Sequence, residues 1–143
     1  MEAKERLTVN LLAEQRPEVF EDLHNGKGTI HYNHNITEVN VKETEGGGVE
    51  IVSDPAEATG TRFKHDTLRV DWPITKNNIL ATLLNAKFDR NQESKLVNDY
   101  EAANLGILDA SHKQPYIDFL TERKALKEMV DADCDAHNIP NSL

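Results

Sequence analysis

Apolar residues along this chain keep two periods, and the change between them outlines the fold. Up to residue 27 they are sparse. Leu7, Leu11 and Leu12 follow helical spacing, with Val9 fitting less well, and Pro17 stands where a second helical stretch through EVFEDLH can begin. Gly26 is placed to cap that stretch. Residues 1–27 are therefore expected to form an N-terminal helical arm, too poor in large apolar side chains to be a domain. It would fold back on the body or dock onto a neighbour.

From Gly28 the period drops to two. TIHYNHNI is followed by EVNVKE, in which Val39 and Val41 alternate with polar residues, then by three glycines at 46–48 and by VEIV. Strand, glycine turn and strand make a hairpin. Residues 53–61 read as a loop. RFKHDTLRVDW then supplies a further strand, with Leu68, Val70 and Trp72 expected on one face and Pro73 ending it. In IHYNHNI, strict alternation puts Ile30, Tyr32, His34 and Ile36 on one face, toward the helices. His31, Asn33 and Asn35 fall on the other, toward water or a partner.

Helical spacing returns after Pro73. Thr75 can cap a helix carrying Ile79, Leu80, Leu83, Leu84 and Phe88. Asn91 is expected to cap a second, with Leu96, Val97 and Tyr100, which stops near Gly106. A third opens near Ser111, has Pro115 in its first turn, and carries Tyr116, Phe119, Leu120, Leu126, Val130 and Cys134 towards His137. The expected class is α+β: a small antiparallel sheet, a hairpin plus one or two strands, followed by a C-terminal helical hairpin or bundle. Residues 28–143 would form the single domain, with the sheet over 28–72 and the helices over 75–138.

Composition narrows the partners. The chain has 143 residues, 25 acidic and 16 basic, for a formal net charge of −9. Nucleic-acid affinity depends on neutralising phosphates, so an acidic chain without a basic stripe argues against that partner, and the same charge disfavours an anionic membrane surface. It suits docking to a basic patch on another protein. The single cysteine, Cys134, cannot form an internal disulfide and fits a reducing compartment. The charged N-terminus lacks the apolar centre of a signal peptide, so the expected site of synthesis and assembly is the cytoplasm.

The candidates for chemistry are thin. His31 and His34 have opposite strand parity, whereas a zinc site needs three or four converging ligands. Cys134 stands among Asp131, Asp133 and Asp135, whose charge raises a thiol pKa and opposes nucleophilic use. The glycines lie between two strands, not between a strand and a lysine-bearing helix as a phosphate loop requires. The acidic run EMVDADCD lacks the glycine bend of a calcium loop. No catalytic, cofactor-binding or metal-ligating residue is therefore assigned, no cofactor is expected, and the chain is not expected to be an enzyme.

The order HYNHNITEV, hairpin, FKHDTLRVDWPITKNNILATLLNAKF and YIDFLTERKALKEMV resembles a family of small proteins from phages and prophages of gut bacteria. Members share an aromatic-asparagine-histidine strand and a helix ending in an Asn-Ala-Lys-aromatic segment, and are often found among tail-fibre and other virion-structure proteins. The resemblance covers about residues 28 to 137. It does not extend to residues 92–111 or to the arm before Gly28, and it carries over no catalytic residue. It implies a virion structural or assembly protein of the tail or head-tail region, assembled in the bacterial host cytoplasm. Such a protein would bind other virion proteins or further copies of itself. Leu7, Leu11, Leu12 and Phe20 of the arm are the candidate contacts, with His31, Asn33 and Asn35 of the strand and Tyr116 and Phe119 of the last helix. A tail-fibre assembly chaperone is the alternative. A metal-dependent hydrolase on His31, His34 and His65 is the third.

Overall fold

In the computed structural model, which describes residues 1–143, the alternating segments pair as a five-stranded antiparallel sheet. Its strands are β1 (Leu7–Ala13), β2 (Phe20–Asp22), β3 (Ile30–Glu43), β4 (Val49–Ile51) and β5 (Gly60–Val70). The order is β1-β5-β3-β2, and β4 pairs with the far end of β3. Three helices follow: α1 (Lys76–Lys87), α2 (Arg90–Asn104) and α3 (Gln114–Ala136). The class is α+β, with a small antiparallel sheet and a C-terminal helical part. The chain divides into a sheet unit, Arg6–Trp72, and a helical unit, Met1–Glu5 with Pro73–Leu143.

The glycine turn folds as its sequence dictates. Gly47 takes φ +82° and donates its N–H to Thr44 O at 3.1 Å, while Thr44 N–H donates to Gly48 O at 2.9 Å. A left-handed φ there costs an L side chain about 1–2 kcal/mol and glycine nothing comparable. β3 is one strand of 14 residues rather than two, so the hairpin and the histidine segment are continuous.

The sheet's two central pairings break register at one level. Between β1 and β5 the register shifts between Thr8 and Leu11, and between β3 and β5 it shifts between His34 and Thr37. Both interruptions contain an asparagine with positive φ, Asn10 at 59° and Asn35 at 52°. Asparagine tolerates that region better than other L residues. Both asparagines reach one carboxylate: Asn10 N–H donates to Asp66 Oδ1 at 3.0 Å and Asn35 Nδ2 donates to Asp66 Oδ2 at 2.9 Å. Asp66 on the middle strand thus ties the bulges on both neighbours.

Each bulge flips the alternation beyond it. One face of the sheet carries Leu7, Leu12, Phe20, Tyr32, His34, Leu68 and Val70, as the pairings Leu7↔Leu68, Leu12↔Lys64, Phe20↔Tyr32 and His34↔Asp66 require. On it Phe20 and Tyr32 stack with centroids 5.0 Å apart, and Tyr32 and His34 stack at 4.7 Å. Tyr32, Leu68 and Val70 are fully buried. At the strand ends Arg6 Nη2 meets Asp71 Oδ2 at 2.7 Å, and its guanidinium holds that carboxyl below the usual range.

In the helical unit Thr75 caps α1, accepting from Asn78 N–H at 3.1 Å. The C-terminal segment returns to the same end: Lys76 N–H donates to Pro140 O at 2.9 Å and Asn77 N–H to Asn141 O at 3.2 Å. The amides that a helix start leaves open are thereby occupied. Ile79, Leu83, Leu126, Val130 and Cys134 are buried here, and Phe88 meets Phe119 edge-on at 4.9 Å.

Several expectations need correction. The N-terminal arm is not helical: beyond a 3-10 turn at Ala3–Arg6 it supplies β1 and β2. Leu7, Leu11 and Leu12 imitate helical spacing because a bulge displaces the strand alternation between Leu7 and Leu12, and pairing with β5 outweighs local propensity. Asp89, not Asn91, caps α2, its carboxylate accepting from Asn91 N–H at 2.8 Å. Trp72 lies past the end of β5 and is 61% exposed, its ring set against Gly28. Leu120 is exposed on α3.

Loss of the carboxylate in Asp66→Ala is expected to destabilise the sheet unit by about 2 kcal/mol, for two partly exposed charge-assisted bonds. A urea unfolding midpoint measures it. Asn35→Ala is expected to cost more than Asn35→Gly, since glycine keeps the backbone conformation and loses only the side-chain bond.

Candidate functional site

The face opposite the aromatic stack holds a cleft of about 700 Å³, bordered by β1, β2, β3, β5 and the segment joining β1 to β2. The pairings explain who meets there. Leu11 opposes His65, Ala13 opposes Phe63, Glu21 opposes His31 and Asn33 opposes Thr67, so these residues share the face. His65, Thr67 and Asn33 form the floor, and Leu11, Ala13 and Pro17 an apolar side. Arg16, Glu18, Glu21 and His31 stand around it. The bulges of β1 and β3 flank the level of His65, where the strands are out of register and the floor opens.

The floor is a hydrogen-bond chain with one direction. Asn33 Nδ2 donates to Glu18 O at 2.7 Å, which fixes the amide and leaves Oδ1 as the acceptor. Thr67 Oγ1 donates to that Oδ1 at 2.6 Å. A hydroxyl has one proton, so the 3.2 Å contact between Thr67 Oγ1 and His65 Nδ1 requires the histidine to donate. Protons therefore run from His65 to Thr67 to Asn33 to the Glu18 carbonyl. The neutral ring carries its proton on Nδ1, and Nε2 is left with a lone pair. All three floor side chains are at least nine-tenths buried, Asn33 at 4% and His65 and Thr67 at 8% exposure. Breaking a link there would leave a buried polar group unsatisfied, at about 1–3 kcal/mol.

This direction decides what the site can do. An activated hydroxyl nucleophile gives its proton to the imidazole, whereas Thr67 gives its proton away from it. The floor offers instead one fixed acceptor, His65 Nε2, beside an apolar side. His31 Nδ1 lies 3.9 Å from Glu21 Oε1, so a second imidazole at the rim has a carboxylate close by.

Of the candidate contacts named from the sequence, Leu11, His31 and Asn33 meet in this cleft, joined by His65 of the hydrolase alternative. Leu7, Leu12 and Phe20 are half-buried on the other face. Asn35 is not on the face of His31 and Asn33: it occupies the bulge and bonds Asp66. Asn33 is buried rather than turned to water. Ile36, past the bulge, joins the cleft face instead of that of Tyr32 and His34, since its neighbour Thr37 opposes Lys64. Tyr116 and Phe119 belong to the helical unit, where Phe119 is buried. The three histidines named for a hydrolase do not meet, because His34 lies on the opposite face with Nδ1 3.1 Å from Tyr32 O. No group of three or more His, Cys, Asp or Glu side chains is placed to share a metal ion. The sequence named His65 only for the hydrolase alternative and not as a contact residue, and it did not single out Thr67. Their common parity in FKHDT was visible, but which face it shared with Asn33 depended on the register.

Cys134 is fully buried in the helical unit, and burial first, with the surrounding carboxylates, pushes its thiol up to about 11. Lys76 opposes that shift, with Nζ 2.9 Å from Asp135 Oδ1 and 3.9 Å from Asp131 Oδ1. Alkylation of the native chain at pH 8 is therefore expected to run about 100-fold slower than in urea, from the thiolate fraction alone. The folded pKa lies above the reference value of 9.0, so the folded state binds the proton more tightly. Stability from this group is complete below pH 9 and is expected to fall as pH rises from 9 to 11. Iodoacetamide kinetics and melting temperature against pH measure the two effects.

Comparison of this chain with family models, with curated proteins and with solved structures gives no match in any of the three.

Proposed function

We propose that this chain is a non-enzymatic structural or assembly protein of a phage virion, of the tail or head-tail region, and that it works by protein–protein contact. The observation that carries the reading is the cleft on the polar face of the sheet. Its floor is preset by the chain from His65 to Glu18, and its apolar side can bury a partner's side chain. A preset floor loses little freedom on binding, which favours recognition. The likeness of residues 28–137 to small phage and prophage proteins supplies the virion setting. A net charge of −9 favours a basic partner face and disfavours nucleic acid and anionic membrane.

Exposed apolar side chains at the turn after α2, Leu105 at 76% and Ile107 at 73%, offer a second contact in the helical unit. A tail-fibre assembly chaperone remains the alternative within the same contact chemistry. It differs only in leaving before the particle is complete.

Light scattering of the chain alone, and after co-expression with virion proteins of the same phage, is expected to give a mass above the 16.1 kDa of one copy. A strict monomer that joins no neighbour contradicts both the virion and the chaperone readings. Mass spectrometry of purified virions separates them: presence of the chain is expected for the virion protein, and absence leaves the chaperone.

A further inference from the structure

We propose that the cleft receives a cationic N–H donor, the lysine ammonium or arginine guanidinium of a basic partner segment, which hydrogen-bonds to His65 Nε2. This rests on the reading that the chain works by protein contact, and it names the partner's chemistry. Three features of the cleft select a donor of positive charge.

The first is the direction of the floor. Asn33 is committed to Glu18 O, Thr67 to Asn33 Oδ1 and His65 Nδ1 to Thr67 Oγ1. What the buried imidazole turns to an incoming group is an acceptor, and an acceptor on the ligand would face a lone pair. The second is the rim. Glu18 and Glu21 stand there against the single Arg16, in a chain with nine more negative than positive charges. The third is the apolar side. Leu11, Ala13 and Pro17 offer a surface for the methylene stem of lysine or arginine, which such residues bury while the charged head finds its partners. Glu18 and Glu21 add negative charge at the rim, which favours entry of a cation that His65 orients.

At pH 8, where an ordinary imidazole is neutral, long-range proton–nitrogen spectra of histidine-labelled protein report each ring's tautomer. His65 is expected in the Nδ1–H form, the less common one for a free histidine. The Nε2–H form overturns the proposal. The binding probes are the acetylated, amidated peptides Ala-Ala-Lys-Ala-Ala and Ala-Ala-Arg-Ala-Ala, with a norleucine peptide as control, in about 0.15 M salt to screen diffuse attraction. One or both cationic peptides are expected to shift His65 Nε2 and Asn33 Nδ2, and the stronger of the two identifies the head group. The norleucine peptide is expected to shift neither.

His65→Phe is expected to weaken binding at least about tenfold. Glu21→Gln, a change at a half-exposed rim site that leaves the floor intact, is expected to weaken it less than His65→Phe does. Shifts spread over the helices with none at His65, equal binding of the norleucine peptide, or peptide affinity unchanged in His65→Phe would each overturn the proposal. Partner complexes undiminished by His65→Phe would remove the cleft and leave the protein-contact reading standing. Peptide binding in a chain that joins no virion protein would do the reverse.

Discussion

The sheet depends on the carboxylate of Asp66, which holds a bulge in each of the strands beside it. Two interruptions at one level of a small sheet would ordinarily leave backbone groups and two left-handed residues without compensation. Here Asn10 and Asn35 occupy those conformations, and each gives a hydrogen bond to a different oxygen of Asp66. The charge of one side chain therefore fixes the register on both sides of β5, and register decides which residue belongs to which face.

The two faces then diverge. The face of Asp66 carries the stacked rings of Phe20, Tyr32 and His34, whose burial supports the sheet unit. The other face opens at His65, between the bulges, and is polar at its floor. A buried polar floor is tolerable only when its members satisfy one another. The chain from His65 through Thr67 and Asn33 to the Glu18 carbonyl does so, and in doing so gives the imidazole a defined outward nitrogen. Fold and candidate site thus meet at Asp66: the β1 bulge that it holds sets Leu11 opposite His65, and the β3 bulge opens just past Asn33, which pairs with Thr67.

The helical half of the chain was legible at the level of residues. Thr75 as a cap, and the burial of Ile79, Leu83, Leu126, Val130 and Cys134, follow from period and capping chemistry alone. The alternation of Tyr32 and His34 was legible too. The N-terminal segment misled because the bulge leaves Leu7 and Leu12 on one face, a spacing that a regular strand forbids, while Leu11 on the other face completes an apparent helical stripe. Ile36 and Asn35 misled for the same reason: one inserted residue inverts every side chain beyond it. No local signal marks that insertion, because its stabilising partner, Asp66, is 56 residues from Asn10 and 31 from Asn35. The site was hidden with it. Leu11, His31 and Asn33 were named as contacts and His65 only for a hydrolase, while setting His65 and Thr67 beside Asn33 required the register.

Amide hydrogen exchange in Asp66→Ala tests most directly that one carboxylate holds both the bulges and the cleft floor. The residues to follow are Asn10, whose N–H bonds Asp66, and Asn33, whose N–H bonds Val19 O at 2.7 Å behind the floor. The expected result is exchange faster by at least about tenfold at both amides, equivalent to about 1.4 kcal/mol, with the buried amides of α3 unchanged. Exchange accelerated at Asn10 alone, or at neither, would contradict a common cause for the bulges and the cleft.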